Sequence, residues 1–144
     1  MLNDDGEKID PNLLNSFIRE SSEVIENLKS FLAEFTEPSQ NSCFEKFGQQ
    51  VDRVMGAAFT LSLNEMGELC RLGKELGYKS SQVSEISKLL TVQSLLSQLV
   101  KILENILKSL KAGQREKSED VAPLLKRMTE ASAMLGNLRT SVKV

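Results

Sequence analysis

Apolar residues recur along most of this chain at helical spacing, three and four positions apart, and no stretch alternates with the period of two that a strand requires. Asp10 followed by Pro11 reads as an N-cap with proline at the first helical position. Leu13, Leu14, Phe17, Ile18, Val24, Ile25, Leu28, Leu32 and Phe35 then mark one helix face. Pro38, set among Ser39, Gln40, Asn41 and Ser42, ends that helix in a loop. A second helix is expected over residues 43–60, with Phe47, Val51, Val54, Ala58 and Leu61 as its core stripe. Ser62 with Glu65 three positions on has the form of a capping box and predicts a new helix start. That third helix carries Leu63, Met66, Leu69, Cys70, Leu72 and Leu76, and Gly77 is expected just past its end, with residues 78–81 as a short link.

The fourth helix, expected over residues 82–111, has the cleanest pattern. Val92, Leu95, Leu96, Leu99, Val100, Ile102, Leu103, Ile106, Leu107 and Leu110 fill an arc of about 160°. Two neighbouring helices would cover such an arc, and a homodimer contact is the alternative. A polar loop over residues 112–119 and a last helix over residues 120–139 complete the reading. The expectation is an all-α protein, an antiparallel four-helix bundle with an additional C-terminal helix. Residues 1–9 read as a flexible acidic arm, and residues 10–144 as one helical domain.

The 144 residues suffice for one self-sufficient core. Tryptophan is absent, and one tyrosine and three prolines are too few to punctuate many short strands. A net charge of −2 gives no reason to expect nucleic acid as a partner. The charge is uneven: residues 1–40 hold nine acids and three bases, the remainder eleven and fifteen. No histidine occurs anywhere, which excludes histidine triads, histidine-ligated metals and histidine phosphorylation. Cys43 and Cys70 cannot hold a metal alone and read as buried thiols in apolar patterns. No cofactor or metal is implied. The start Met1-Leu2-Asn3-Asp4-Asp5 has no basic-then-apolar leader, and no window is read as reaching the ~20 apolar residues of a membrane span. The expectation is a cytoplasmic, non-enzymatic protein without a membrane partner.

On the second helix, Glu45, Gly48, Gln49, Asp52, Met55, Gly56 and Phe59 fall within about 60° of Asp52 and away from the core stripe. Each helical glycine costs ~1 kcal/mol relative to alanine. Two of them flanking Asp52 one turn away predict a place where another body approaches the helix closely. Met55 and Phe59 would add exposed apolar area suited to docking.

The stretch from Phe47 to Leu76 resembles the histidine-phosphotransfer family. The family pattern is an apolar residue, then His-Ser-Leu-Lys-Gly, small residues, an apolar pair and a leucine-rich helix. The matching run here is Val51-Asp52-Arg53-Val54-Met55-Gly56-Ala57-Ala58-Phe59-Thr60-Leu61, followed by the helix from Leu63 to Leu76. The upstream helix with Phe17, Glu20, Glu23, Val24, Leu28 and Leu32 resembles the family's opening Phe-x-x-Glu-x-x-Glu helix. Asp52 stands at the phosphorylated histidine's position and Met55 at the lysine's, and Gly56 is kept. Aspartyl-phosphate chemistry uses Mg²⁺ and a lysine, and the second helix clusters no second carboxylate with Asp52. The resemblance therefore implies a pseudo-phosphotransfer module that binds a response-regulator receiver domain or a histidine kinase without chemistry. Two further readings stand beside it. Gln49 could orient a water for a receiver phosphatase. The 92–110 face could serve a purely structural adaptor or homodimer.

Overall fold

The structure is a computed structural model that describes residue 3 and residues 5–115 and 120–136. Among these it holds five α-helices, one short 3-10 helix and no β-sheet: α1 (Pro11–Glu34), the 3-10 turn Pro38–Gln40, α2 (Ser42–Thr60), α3 (Asn64–Ser80), α4 (Ile86–Lys111) and α5 (Val121–Leu135). The all-α expectation holds. Asp10 caps α1 as its sequence suggests, its Oδ1 accepting the Asn12 N–H at 2.8 Å, with Pro11 in the first turn.

The first three helices alternate in direction. Lys46 near the start of α2 lies 3.9 Å from Glu34 at the end of α1, whereas Arg53, Val54 and Ala57 late in α2 face Phe17 and Glu20 early in α1. In the same way Gly77 late in α3 abuts Phe44 early in α2, and Gly67 early in α3 abuts Phe59 late in α2. α4 returns beside α1: its Gln93 side chain donates to the last carbonyls of α1, Leu32 O at 2.8 Å and Phe35 O at 3.2 Å. That is how an end left with unsatisfied carbonyls is closed. α5 lies on α3 and α4. The Lys79 ammonium pins it by donating to Ser132 Oγ at 2.9 Å and Ser132 O at 3.2 Å.

The core forms where these helices meet. Phe44, Phe47, Leu63, Met66, Leu69, Leu76, Leu96, Leu99 and Leu103 are fully buried. Phe35 and Phe44 stack at 4.9 Å in a tilted pair. The α4 arc read from the sequence is buried along its whole length, covered by α1, α3 and α5 of the same chain. α4 is nevertheless long and apolar enough by composition to cross a membrane, with a mean hydropathy of 1.2 in its most apolar stretch. The sequence reading missed this because serines, glutamines and lysines interrupt the run. Both thiols are buried, and burial pushes the Cys43 thiol up from its ordinary value.

Several local expectations give way to the structure. The part of the acidic arm that is described is a hydrogen-bonded turn: Asn3 Oδ1 accepts the N–H groups of Asp5 and Glu7, both at 3.0 Å, and Ile9 enters the core. Residues 1, 2 and 4 lie outside the described residues. Ser62 does not cap α3. It takes φ +57° and ends α2 instead, with Ser62 N–H donating to Phe59 O and Leu63 N–H to Ala58 O. The same pair of bonds ends α4 at Gly113, so both are Schellman closures, one built on serine. Leu61, expected in the core stripe, is half-buried because the chain turns there. α4 begins at Ile86 rather than at residue 82, and the expected helix end at residue 139 lies outside the described residues.

Gly77 is the largest difference. It lies inside α3, which continues to Ser80. A Cβ there would stand 2.6 Å from Phe44 O and 3.1 Å from Gly48 N, so α2 and α3 cross backbone against backbone at this pair of glycines. The residue needed for close helix packing has the same identity as a helix stop signal, and the sequence pattern could not separate them. We expect Gly77→Ala to lower stability by about 1–3 kcal/mol in urea unfolding, because overpacking against main chain outweighs the helix propensity gained.

Candidate functional site

The seven residues singled out on α2 divide into three groups. Glu45, Gln49, Gly56 and Phe59 are exposed, and Asp52 and Met55 are half-buried. Gly48 is buried, contrary to the expectation that it lies on an open face. A Cβ at Gly48 would sit 3.2 Å from Lys74 O and 3.4 Å from the Tyr78 ring. Its function is therefore internal, and it leaves the candidate docking set.

Gly56 behaves in the opposite way. A Cβ there would meet nothing within 4 Å. The other helical glycines all answer to packing: Gly48 and Gly77 as above, Gly67, where a Cβ would stand 2.5–2.7 Å from the Phe59 ring, and Gly73, where it would stand 2.5 Å from Leu99. Gly56 bears the same helix-propensity cost with no internal contact to offset it.

The close crossing of α2 and α3 brings a strip of α3 beside this face. The Lys74 ammonium donates to Asp52 Oδ1 at 2.9 Å. This hydrogen bond holds the Lys74 pKa above its ordinary value of 10.5, against a smaller opposing effect of desolvation. The ammonium also stands 6.0 Å from the centre of the Tyr78 ring, at the limit of a cation–π contact. Arg71, one turn before Lys74, pairs within its own helix with Glu68, its Nε donating to Glu68 Oε1 at 2.8 Å. That bond lowers the Glu68 pKa and raises that of Arg71.

Met55 and Phe59 from α2 and Arg71, Lys74, Glu75 and Tyr78 from α3 line an open groove of about 340 Å³. The Phe59 ring remains 39% exposed although it sits on Gly67, so the groove has an accessible aromatic wall. The arrangement offers an apolar floor, a neutralised ion pair at one edge and bare backbone at Gly56. Such a surface can bind. One oxygen of the Asp52 carboxylate accepts the Lys74 ammonium. Gln49 is exposed beside this surface.

The sequence reading missed Lys74, Arg71 and Tyr78. Their spacing of three and four, on the side of α3 away from Leu69, Leu72 and Leu76, marks a polar strip. What the spacing does not give is the register of α3 on α2. No family model, curated protein or solved structure matches this chain.

Two outcomes are expected. Gly56→Ala should raise stability by about 0.5–1 kcal/mol in urea unfolding, because the methyl group enters open space. The Lys74 ammonium should titrate above 10.5 by NMR and return to the ordinary lysine value in Asp52→Asn. Since its folded pKa is raised, the Lys74 contribution to stability is present below the unfolded lysine value and is lost as pH climbs through the folded one.

Proposed function

We propose that this chain is a non-catalytic, cytoplasmic signalling module of the histidine-phosphotransfer kind. In this reading α1–α4 form the antiparallel four-helix bundle of that family and α5 is an addition. Its α2–α3 face docks a response-regulator receiver domain or a histidine kinase.

The observation that carries the reading is Gly56. It is the one helical glycine among the described residues whose missing side chain no other described residue exploits. It lies one turn from Asp52, the residue at the position of the family's histidine. A partner that packs against bare backbone would make use of that absence, and Met55, Phe59 and Tyr78 would give it apolar contact.

Lys74 also bears on the reading. A carboxylate in place of the histidine would repel an acidic receiver site. The ammonium 2.9 Å away cancels that charge locally. Lys74 also supplies a cation to a face where Met55 replaces the lysine of the family pattern.

The test is calorimetric titration of the protein with the receiver and kinase domains of its source organism. We expect Gly56→Arg to weaken binding at least tenfold with an unchanged circular dichroism spectrum, since the new side chain has room in the free protein. Unchanged affinity in that variant overturns the docking reading.

A further inference from the structure

A second face has cations to spare. The seam between α1 and α4 opens into two hollows, of about 230 and 480 Å³. Ile25 and Leu107 floor the smaller one, and Leu32 and Val100 the larger. Each floor residue stands seven positions from its counterpart on the same helix. Seven residues of helix rise about 10.5 Å, so the hollows repeat every two turns. Lys101 and Lys108 keep the same spacing, which places one lysine beside each hollow. Ile86 continues the Val100–Leu107 register past the end of α1, where it is 42% exposed.

The charge of this seam is unbalanced. Its two carboxylates, Glu26 and Glu104, both accept from Lys29 Nζ, at 3.4 and 2.8 Å. Lys101, Lys108 and Lys111 are exposed and form no ion pair with any described residue. The carbonyl end of α4 favours cations at 108 and 111 whatever binds there. Lys101 lies more than two turns earlier, outside the reach of that effect.

We propose that the α1–α4 seam receives an amphipathic helix of a second partner protein, its apolar side chains seven residues apart in the two hollows and its acidic side chains beside Lys101 and Lys108. A repeat of two turns is the spacing at which a helix presents one face, and a groove of this kind holds it by apolar anchors at that interval. The excess of ammonium groups selects acidic flanks. A second copy of the chain does not fit: its exposed large apolar residues among those described are Leu13, Phe59, Ile86, Leu90 and Met134, and no two lie seven apart. A flat anionic bilayer does not need the hollows, and it would meet the exposed Glu23, Glu26 and Glu34 of α1. This face is separate from that of α2 and α3, and its occupancy does not depend on the docking reading above.

The probe is a dye-labelled synthetic helix of about three heptads, with leucine every seventh position and glutamates flanking each leucine. Fluorescence anisotropy compares it with a copy carrying lysine for glutamate and with a scrambled copy of the same composition. The acidic heptad peptide should bind at least tenfold tighter than either, and less tightly as salt rises. Lys101→Glu with Lys108→Glu should weaken it at least tenfold, and Ser97→Phe, which fills the larger hollow from its rim, at least threefold. Lys126→Glu, exposed on α5, should change affinity less than twofold. Circular dichroism and thermal melts confirm that each variant is folded. The proposal is overturned if the acidic peptide binds no tighter than its two copies, or if the double lysine variant keeps its affinity. It is also overturned if phosphatidylserine vesicles, and not the peptide, bind in a way that requires Lys101 and Lys108, since the face then serves a membrane surface.

Discussion

The backbone crossing of α2 and α3 at Gly48 and Gly77 sets the geometry of everything that follows on this face. With side chains at those positions, main chain could not come as close as a built Cβ 2.6 Å from Phe44 O implies. The crossing fixes both the separation and the register of the two helices. Once it is fixed, Lys74 stands opposite Asp52, Phe59 lies over Gly67, and Tyr78 closes against Gly48. The candidate site is thus a consequence of packing one turn away, at Gly48 before Asp52 and Gly77 after Lys74. Its residues would not be neighbours if α3 slid along α2 by one turn.

Glycine has three distinct uses in this chain, and the distinction matters for function. Gly113 supplies a positive φ where α4 ends. Gly48, Gly67, Gly73 and Gly77 supply space that another part of the chain fills. Gly56 supplies space that stays open. A helix interior tolerates the first two uses because hydrogen bonds or van der Waals contacts offset the lost propensity. The third has no such compensation among the described residues, and that imbalance is the physical ground for the proposal that a partner covers this surface.

Much of the fold was legible because it depends on local periodicity. The helix count, the wide buried arc of α4 and the cap formed by Asp10 and Pro11 all follow from patterns within a few residues. The core stripe of α2 was legible too, except at Leu61, where the chain turns. The failures share one cause, which is that a residue's identity has two meanings that only tertiary contacts separate. Gly77 looked like a stop and is a crossing point. Ser62 looked like an N-cap and is the left-handed residue that closes α2. Gly48 looked open and is covered. Of the site, the α2 half was visible as a helix face. The α3 half was not, because the register of one helix on another depends on which small residues meet, and a single sequence does not state that pairing.

The most direct test of the central claim, that the face around Gly56 and the Asp52–Lys74 pair receives a partner, is amide shift mapping. Isotope-labelled protein would be titrated with an unlabelled receiver domain. The account predicts that perturbed amides concentrate on residues 49–59 of α2 and 68–78 of α3, with α5 and the outer face of α1 silent. Perturbations centred on the α1–α4 groove or on α5, with the surroundings of Gly56 unchanged, would contradict it.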